Sequence, residues 1–318
     1  MRRLLLGSIV LFLSVFGVIF AVLGQDAEKS SLIEYVENQI SSPSYQIRLN
    51  GIKGTLSSDV SFESITIGDE EGIWLNIEKP RMVWTRTALL RGRLEINTLE
   101  AEKITWTRKP IAEDELPSPE SSEFALPELP VAVNLEKLEV GEFILGEKVM
   151  DLAARLQLVL SLKLDDDGLD LKLDANRLDD PGGTLAAITG YQRENKFVNI
   201  DIKLNEPQNG IVATALGLEG SPPVSLAMRG SAPLENLDVN LAFDVASERI
   251  LDGKLAASRG NDGLLVSANL SGPLSKIMED RAKAFLGPQS NLDAKLRFPD
   301  AGGMKVENAS LKSGVVSF

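Results

Sequence analysis

The chain has 318 residues, a hydrophobic fraction of 43%, an aromatic fraction of only 5% and a formal net charge of −13. It contains no cysteine and no histidine, which excludes disulfides, thiolate and imidazole catalysis, serine–histidine triads and zinc sites built on those ligands. The negative charge argues against nucleic acid as a partner, because that requires a basic footprint.

The first element in chain order is a membrane segment. Arg2 and Arg3 precede 20 uncharged residues, Leu4 to Leu23, with Leu11 and Phe16 inside the run. As a helix this run is about 30 Å long, the thickness of a bilayer's hydrocarbon core. A cleaved signal peptide is the alternative, with an apolar region of about 7–15 residues and a small-x-small cleavage site. Val22-Leu23-Gly24 matches such a site poorly, so residues 1–24 read as an uncleaved signal anchor. The positive-inside rule keeps the arginines in the cytoplasm and sends everything after Gln25 across the membrane. Residues 25–43 hold a short amphipathic helix, Ser30 to Ile40, with Leu32, Ile33, Val36 and Ile40 on one face and Pro43 beyond its end.

Over residues 44–107 the apolar period becomes two. Tyr45/Ile47/Leu49, Ile65/Ile67, Ile73/Leu75/Ile77, Met82/Trp84, Leu94/Ile96 and Ile104/Trp106 alternate with polar residues, which predicts half-buried strands. Residues 108–130 carry five prolines and six acids, a composition that cannot offset ordering entropy by burial and reads as a flexible or extended insertion.

From 131 to 318 the alternation returns. Leu160/Leu162/Leu164, Leu169/Leu171/Leu173, Val198/Ile200/Ile202/Leu204, Leu237/Val239/Leu241/Phe243/Val245, Leu264/Val266/Ala268/Leu270 and Leu292/Ala294/Leu296/Phe298 point one way. Asp-Gly at 167–168, 252–253 and 262–263 predicts tight hairpin turns. Two short helices are expected, near 206–216 and 273–286.

Acidity is concentrated between Pro110 and Asp180, where 18 acidic residues face 6 basic ones. Within it, "KLDDDGLDLKLDANRLDD" reads as strand, turn, strand, turn. Period two sets Asp170 and Asp174 about 14 Å apart, too far to share a cation. A weak calcium contact at Asp165–Asp167 is the remaining metal reading; no metal ligand and no cofactor is assigned. The leucines between the acids are the more informative residues.

These elements predict a mainly β fold: a long antiparallel sheet, aliphatic on one face and charged on the other, with a few short helices. An apolar face must be covered, and helices are too few to do it. A repetitive sheet of this kind, resembling a solenoid, can curl about its own apolar face into a groove, and an acyl chain would suit such a groove. Candidate lining residues are Ile47, Leu49, Ile65, Ile67, Leu171, Leu173, Ile200, Ile202, Val239, Leu241, Leu296 and Phe298. At each of them an ordinary core position is the alternative.

The stretch "LNGIKGTLSSDVSFESITIGDEEGIWLNIEKPRMVWTRTALLRGRLEINTLEAEKITWTRKP" (Leu49 to Pro110) also resembles a known family. Its I-x-G-x-L core at Ile52–Leu56, the D-x-x-G-I-W-L run at Asp69–Leu75 and the run from Trp84 to Leu94 are similar to the amino-terminal portion of the TamB family, the inner-membrane subunit of the translocation and assembly module within the AsmA-like proteins. "EPQNGIVATALGLEGSPPVSLAMRGSAPL" and "SGPLSKIMEDRAKAFLGPQSNLDAKLRFPDAGG" extend the resemblance over nearly the whole chain. It implies a single-pass inner-membrane protein of a Gram-negative bacterium with a long periplasmic β-taco. The implied roles are carriage of phospholipid toward the outer membrane and help with outer-membrane protein insertion beside an Omp85-type barrel partner. Family members are several times longer, and the carboxy-terminal region that would meet the barrel is absent here.

Two functional readings follow. In one, the groove is a passive lipid conduit, with acyl chains on the aliphatic floor and headgroups at the rim. In the other, the sheet is a scaffold or chaperone whose exposed edge pairs with strands of outer-membrane proteins. An enzyme is not expected, since paired carboxylates alone, without aromatic sugar platforms, do not make a glycosidase.

Overall fold

The computed structural model describes residues 41, 46–55, 58–111, 131–150, 152–180, 182–260, 262–277, 287–299 and 303–313. The expected signal anchor and amphipathic helix lie outside the described residues, as do residues 112–130 of the acidic insertion. Among the described residues no helix is long and apolar enough to cross a membrane.

The alternating segments form an 18-stranded sheet. Six short strands come first: β1 (Gln46–Asn50), β2 (Lys53–Thr55), β3 (Asp59–Ser61), β4 (Ser64–Asp69), β5 (Gly72–Glu78) and β6 (Arg81–Trp84). They make two arms, β1–β4–β5 and β2–β3–β6, which meet on one long strand, β7 (Arg93–Arg108). Its Ile96–Glu100 stretch pairs with β6 and its Lys103–Trp106 stretch with β5. Leu94/Ile96 and Ile104/Trp106, which read as separate strands in the sequence, therefore belong to one.

The next strand, β8 (Ala132–Gly146), runs parallel to β7, so the sheet is not wholly antiparallel as expected. From there each strand is antiparallel to the one before it: β9 (Ala154–Asp165), β10 (Gly168–Arg177), β11 (Thr184–Gln192), β12 (Phe197–Glu206) and β13 (Val224–Pro233). The series continues through β14 (Asn236–Val245), β15 (Glu248–Gly260), β16 (Gly263–Gly272), β17 (Ser290–Pro299) and β18 (Lys305–Ser313). Short helices α1 (Glu147–Met150) and α2 (Ile211–Ala215) and a 3-10 turn at Leu274–Lys276 interrupt it.

Two local expectations are corrected. The helix near 206–216 shrinks to α2, because Glu206 completes β12 opposite Val224 and Pro207 cannot supply a backbone donor. Asp252-Gly253 makes no turn but lies inside β15. There Gly253 has φ +152°, and a β-carbon would sit 2.0 Å from the Asn269 carbonyl oxygen of β16, so only glycine lets the two strands meet. Of the second predicted helix, the described part is the 3-10 turn; residues 278–286 lie outside the described residues.

The first eight strands enclose a packed core. Ile47, Leu49, Ile65, Ile67, Met82, Ile96, Leu99 and Leu135 are buried together with Trp74, Trp84 and Trp106, all three tryptophans of the chain. Trp106 Nε1 donates to the Arg108 carbonyl at 2.7 Å, whereas the buried Trp74 Nε1 has no acceptor. At the edge of this core the Asp69 carboxylate, its side chain 2% exposed, pairs with Arg108 and accepts from the amides of Glu71 and Ile111, both at 3.0 Å. The Arg108 hydrogen bond, opposed by desolvation and aided by those amides, holds the Asp69 carboxyl well below its ordinary range.

Candidate functional site: a half-exposed apolar face

Beyond the packed core, strand register builds one continuous aliphatic face. In β9 and β10, Leu160 opposes Leu173 and Leu162 opposes Leu171. Leu171 and Leu173 then meet Thr189 and Ala187 of β11, which oppose Ile200 and Ile202 of β12. Ile200 faces Gly230 and Ile202 faces Met228 of β13; Met228 faces Leu241 of β14. Val239 opposes Leu255, Leu255 opposes Ala268, and further along Val266 and Leu264 oppose Leu296 and Phe298. Leu296 then reaches Val306 of β18, across a register shift.

Neighbours in register share a face, because side chains alternate sides along each strand. The eight candidate residues from Leu171 to Phe298 therefore stand on one surface. The other four, Ile47, Leu49, Ile65 and Ile67, are only 1–6% exposed and sit within the closed core. Identical alternation thus has two outcomes. Where β1 to β6 supply a cover the aliphatic residues pack against protein. Across β9 to β18, Leu160, Leu162, Leu171, Leu173, Ile200, Ile202, Met228, Leu241, Leu255 and Leu296 stay partly exposed, while Leu237, Val239 and Ala257 form a small buried patch among them. An apolar surface spread over ten strands is unusual for a protein that leaves it uncovered.

The opposite face is polar. Asp201 and Arg229 oppose each other directly in register and pair at 2.9 Å. The aspartate-rich stretch belongs to this wet side. Asp165 pairs with Lys163 at 2.9 Å and accepts from the amides of Asp167 and Gly168. Those contacts, the lysine first, hold its carboxyl below its ordinary value. Among the described residues no three acids converge as a cation cage would require.

Strand connections alternate between two ends of the sheet, and the ends differ. At one of them α2 and the 3-10 turn fold onto the apolar face, and α1 folds onto the closed core. Ala213 of α2 is completely buried beside Leu218, Leu204, Val224, Val245 and Ile250, and Leu274 and Ile277 pack on the same cluster. Glu206, Arg177 and Asp179 at this end are satisfied internally. The Glu206 carboxylate accepts from the amides of Ile211 and Val212 at 3.1 and 2.7 Å, capping α2. Arg177, its side chain 6% exposed, pairs with Asp179 at 2.7 Å and donates to the Asn209 carbonyl. Asp179 also accepts from the Arg155 amide at 2.9 Å, which links three successive connections. Burial works to raise the Asp179 pKa, but the bonds from Arg177 and Arg155 outweigh it and hold the carboxyl ionised.

Neither Glu206 nor the Arg177–Asp179 pair stands out in the sequence; an acid at the end of an aliphatic alternation followed by Pro-x-x-Gly was the available sign. Comparison of the chain with protein-family models, with curated proteins and with solved structures yields no match.

Proposed function

We propose that the half-exposed apolar face binds the acyl chains of phospholipid, the sheet curling about it as a β-taco groove. The observation that carries this reading is the register. Leucine, isoleucine, valine and methionine from ten consecutive strands align on one surface that stays partly exposed. Such a surface needs an occupant without polar demands. An acyl chain leaving water gains about 0.8 kcal/mol per methylene, on the order of 10 kcal/mol for a whole chain.

In this proposal the chain is a TamB-family, AsmA-like protein. Leu4 to Leu23 anchor it in the inner membrane, and the sheet stands in the periplasm and carries phospholipid toward the outer membrane. Movement is passive: acyl chains slide along the aliphatic floor while headgroups stay wet. Purified, delipidated chain incubated with liposomes containing a trace of fluorescent phospholipid tests this directly. Uptake of the probe by the protein fraction is the expected result, and its absence with the sheet intact by circular dichroism overturns the proposal.

A second reading is assembly of outer-membrane proteins by strand addition, with an Omp85-type barrel as partner. It draws on β18, paired in register with β17, where Val306 is 62% exposed and the preceding Met304 52% exposed.

A further inference from the structure

We infer that phospholipid lies along the strands of this face with one fixed polarity. The acyl chains point to the end carrying α1, α2 and the Leu274–Lys276 turn, and the headgroup sits at the opposite end. The inference rests on the acyl-chain reading above.

Three observations support it. First, one end is walled. Helical connections begin at Glu147, Ile211 and Leu274, every fourth strand and always at the same end. Ala213 and Leu218 are buried on the apolar face there, and Val149 is buried on the adjoining closed core. Of the charged groups at that end, Arg177, Asp179 and Glu206 are committed to one another's loops and to α2, while the more exposed Lys276 and Arg249 pair with Glu248 and with Asp244 and Asp252. A phosphate placed against α2 would meet buried aliphatic side chains and, beside them, cations already paired with carboxylates.

Second, among the described residues the opposite end carries the short connections Asp166–Asp167, Arg193–Lys196 and Leu234–Glu235, exposed except at Leu234 and Glu235, of which Leu234 packs on the small buried patch. Tyr191, in register with Leu169 and Val198, is the last residue of β11 on the apolar face at this end. An aromatic ring with a polar tip is the side chain that favours a boundary between acyl chain and water.

Third, the length fits. Tyr191 and Leu185 lie on the same face six residues apart, and Leu185 already packs on the α2 cluster. At about 3.3 Å per residue the open run between rim and wall is roughly 20 Å. A lipid acyl chain spans half of a hydrocarbon core about 30 Å thick, hence about 15 Å. One chain length fits between the polar rim and the wall; two placed end to end do not.

Two phosphatidylethanolamine probes test the polarity, one with a diazirine at the acyl terminus and one with it beside the glycerol. Each is loaded into the full chain, irradiated, and its adducts mapped by tandem mass spectrometry. The acyl-terminal probe is expected on Leu185, Leu204, Leu226 or Phe243, and the glycerol probe on Tyr191, Val198 or Ala232. Equal labelling of both ends by both probes, or the reverse pattern, overturns the polarity and leaves the acyl-chain reading standing. Labelling confined to polar-face residues such as Lys172 and Lys203, or none at all, overturns that reading too.

Discussion

Replacing Ile202 by glutamate separates a lipid-binding face from an ordinary sheet surface. Ile202 lies partly exposed in the middle of β12, between Ala187 and Met228. Its neighbour Lys203 points the opposite way, exposed between Ala186 and Ala227. In the free chain the new carboxylate of Ile202→Glu reaches water, so the sheet survives. With lipid bound, the charge keeps the three or four methylenes nearest to it wet, at about 0.8 kcal/mol each, or about 3 kcal/mol in total. Since 1.4 kcal/mol is tenfold, phospholipid affinity falls about 100-fold. Equilibrium titration of delipidated chain with fluorescent phospholipid, with circular dichroism as the folding check, measures it. Lys203→Glu is the control and leaves affinity unchanged. Unaltered affinity in Ile202→Glu, or an equal loss in Lys203→Glu, refutes the reasoning, because period two is what assigns one residue to the greasy face and the next to water.

Three further outcomes follow from the same geometry. Ile65→Ala, in the closed core, costs about 2–5 kcal/mol in chemical denaturation, whereas Ile200→Ala, half exposed, costs about 1 kcal/mol because less of its side chain leaves water on folding; similar costs would mean that the two faces are equally covered. Trp106→Phe abolishes the bond to the Arg108 carbonyl and is less stable than Trp74→Phe, which loses none, by about 1 kcal/mol; the reverse order contradicts the assignment of an unpartnered Trp74 nitrogen. The lowered Asp69 pKa gives stability that is present above the unfolded carboxyl pKa of about 3.9 and is lost as pH falls through the lower folded value. The melting temperature of Asp69→Asn accordingly lies below that of the parent chain at neutral pH, and the gap narrows in strong acid; a gap that persists undiminished there removes the ion pair as its cause.

Strand alternation made much of this sheet legible, and its failures have local causes. β8 escapes a period-two reading because its pairing with β9 slips between Leu135 and Leu138 and again between Val140 and Phe143. β11 and β15 hide behind small residues: Ala187, Thr189 and Gly253 hold the apolar face where leucines would announce it. Asp252-Gly253 has the composition of a turn, yet the glycine is required by the approach of β16. The division of the aliphatic face into closed and open parts was not readable from alternation, since Ile65-Thr66-Ile67 and Ile200-Asp201-Ile202 have the same pattern. What differs is cover from other strands, a long-range property. One sign was present: Trp74, Trp84 and Trp106 all fall in the part that closes, where bulky aromatic volume fills the space between arms of the sheet.

The central claim is that lipid occupies the face bearing Ile200. A photo-reactive amino acid placed at Ile200 in living cells, with Asn199 on the opposite face as the paired control, reads this directly by mass analysis of the adduct. Phospholipid attached at position 200 and not at 199 is the predicted result. Adducts to protein alone at position 200, or equal lipid labelling at both, would contradict the account.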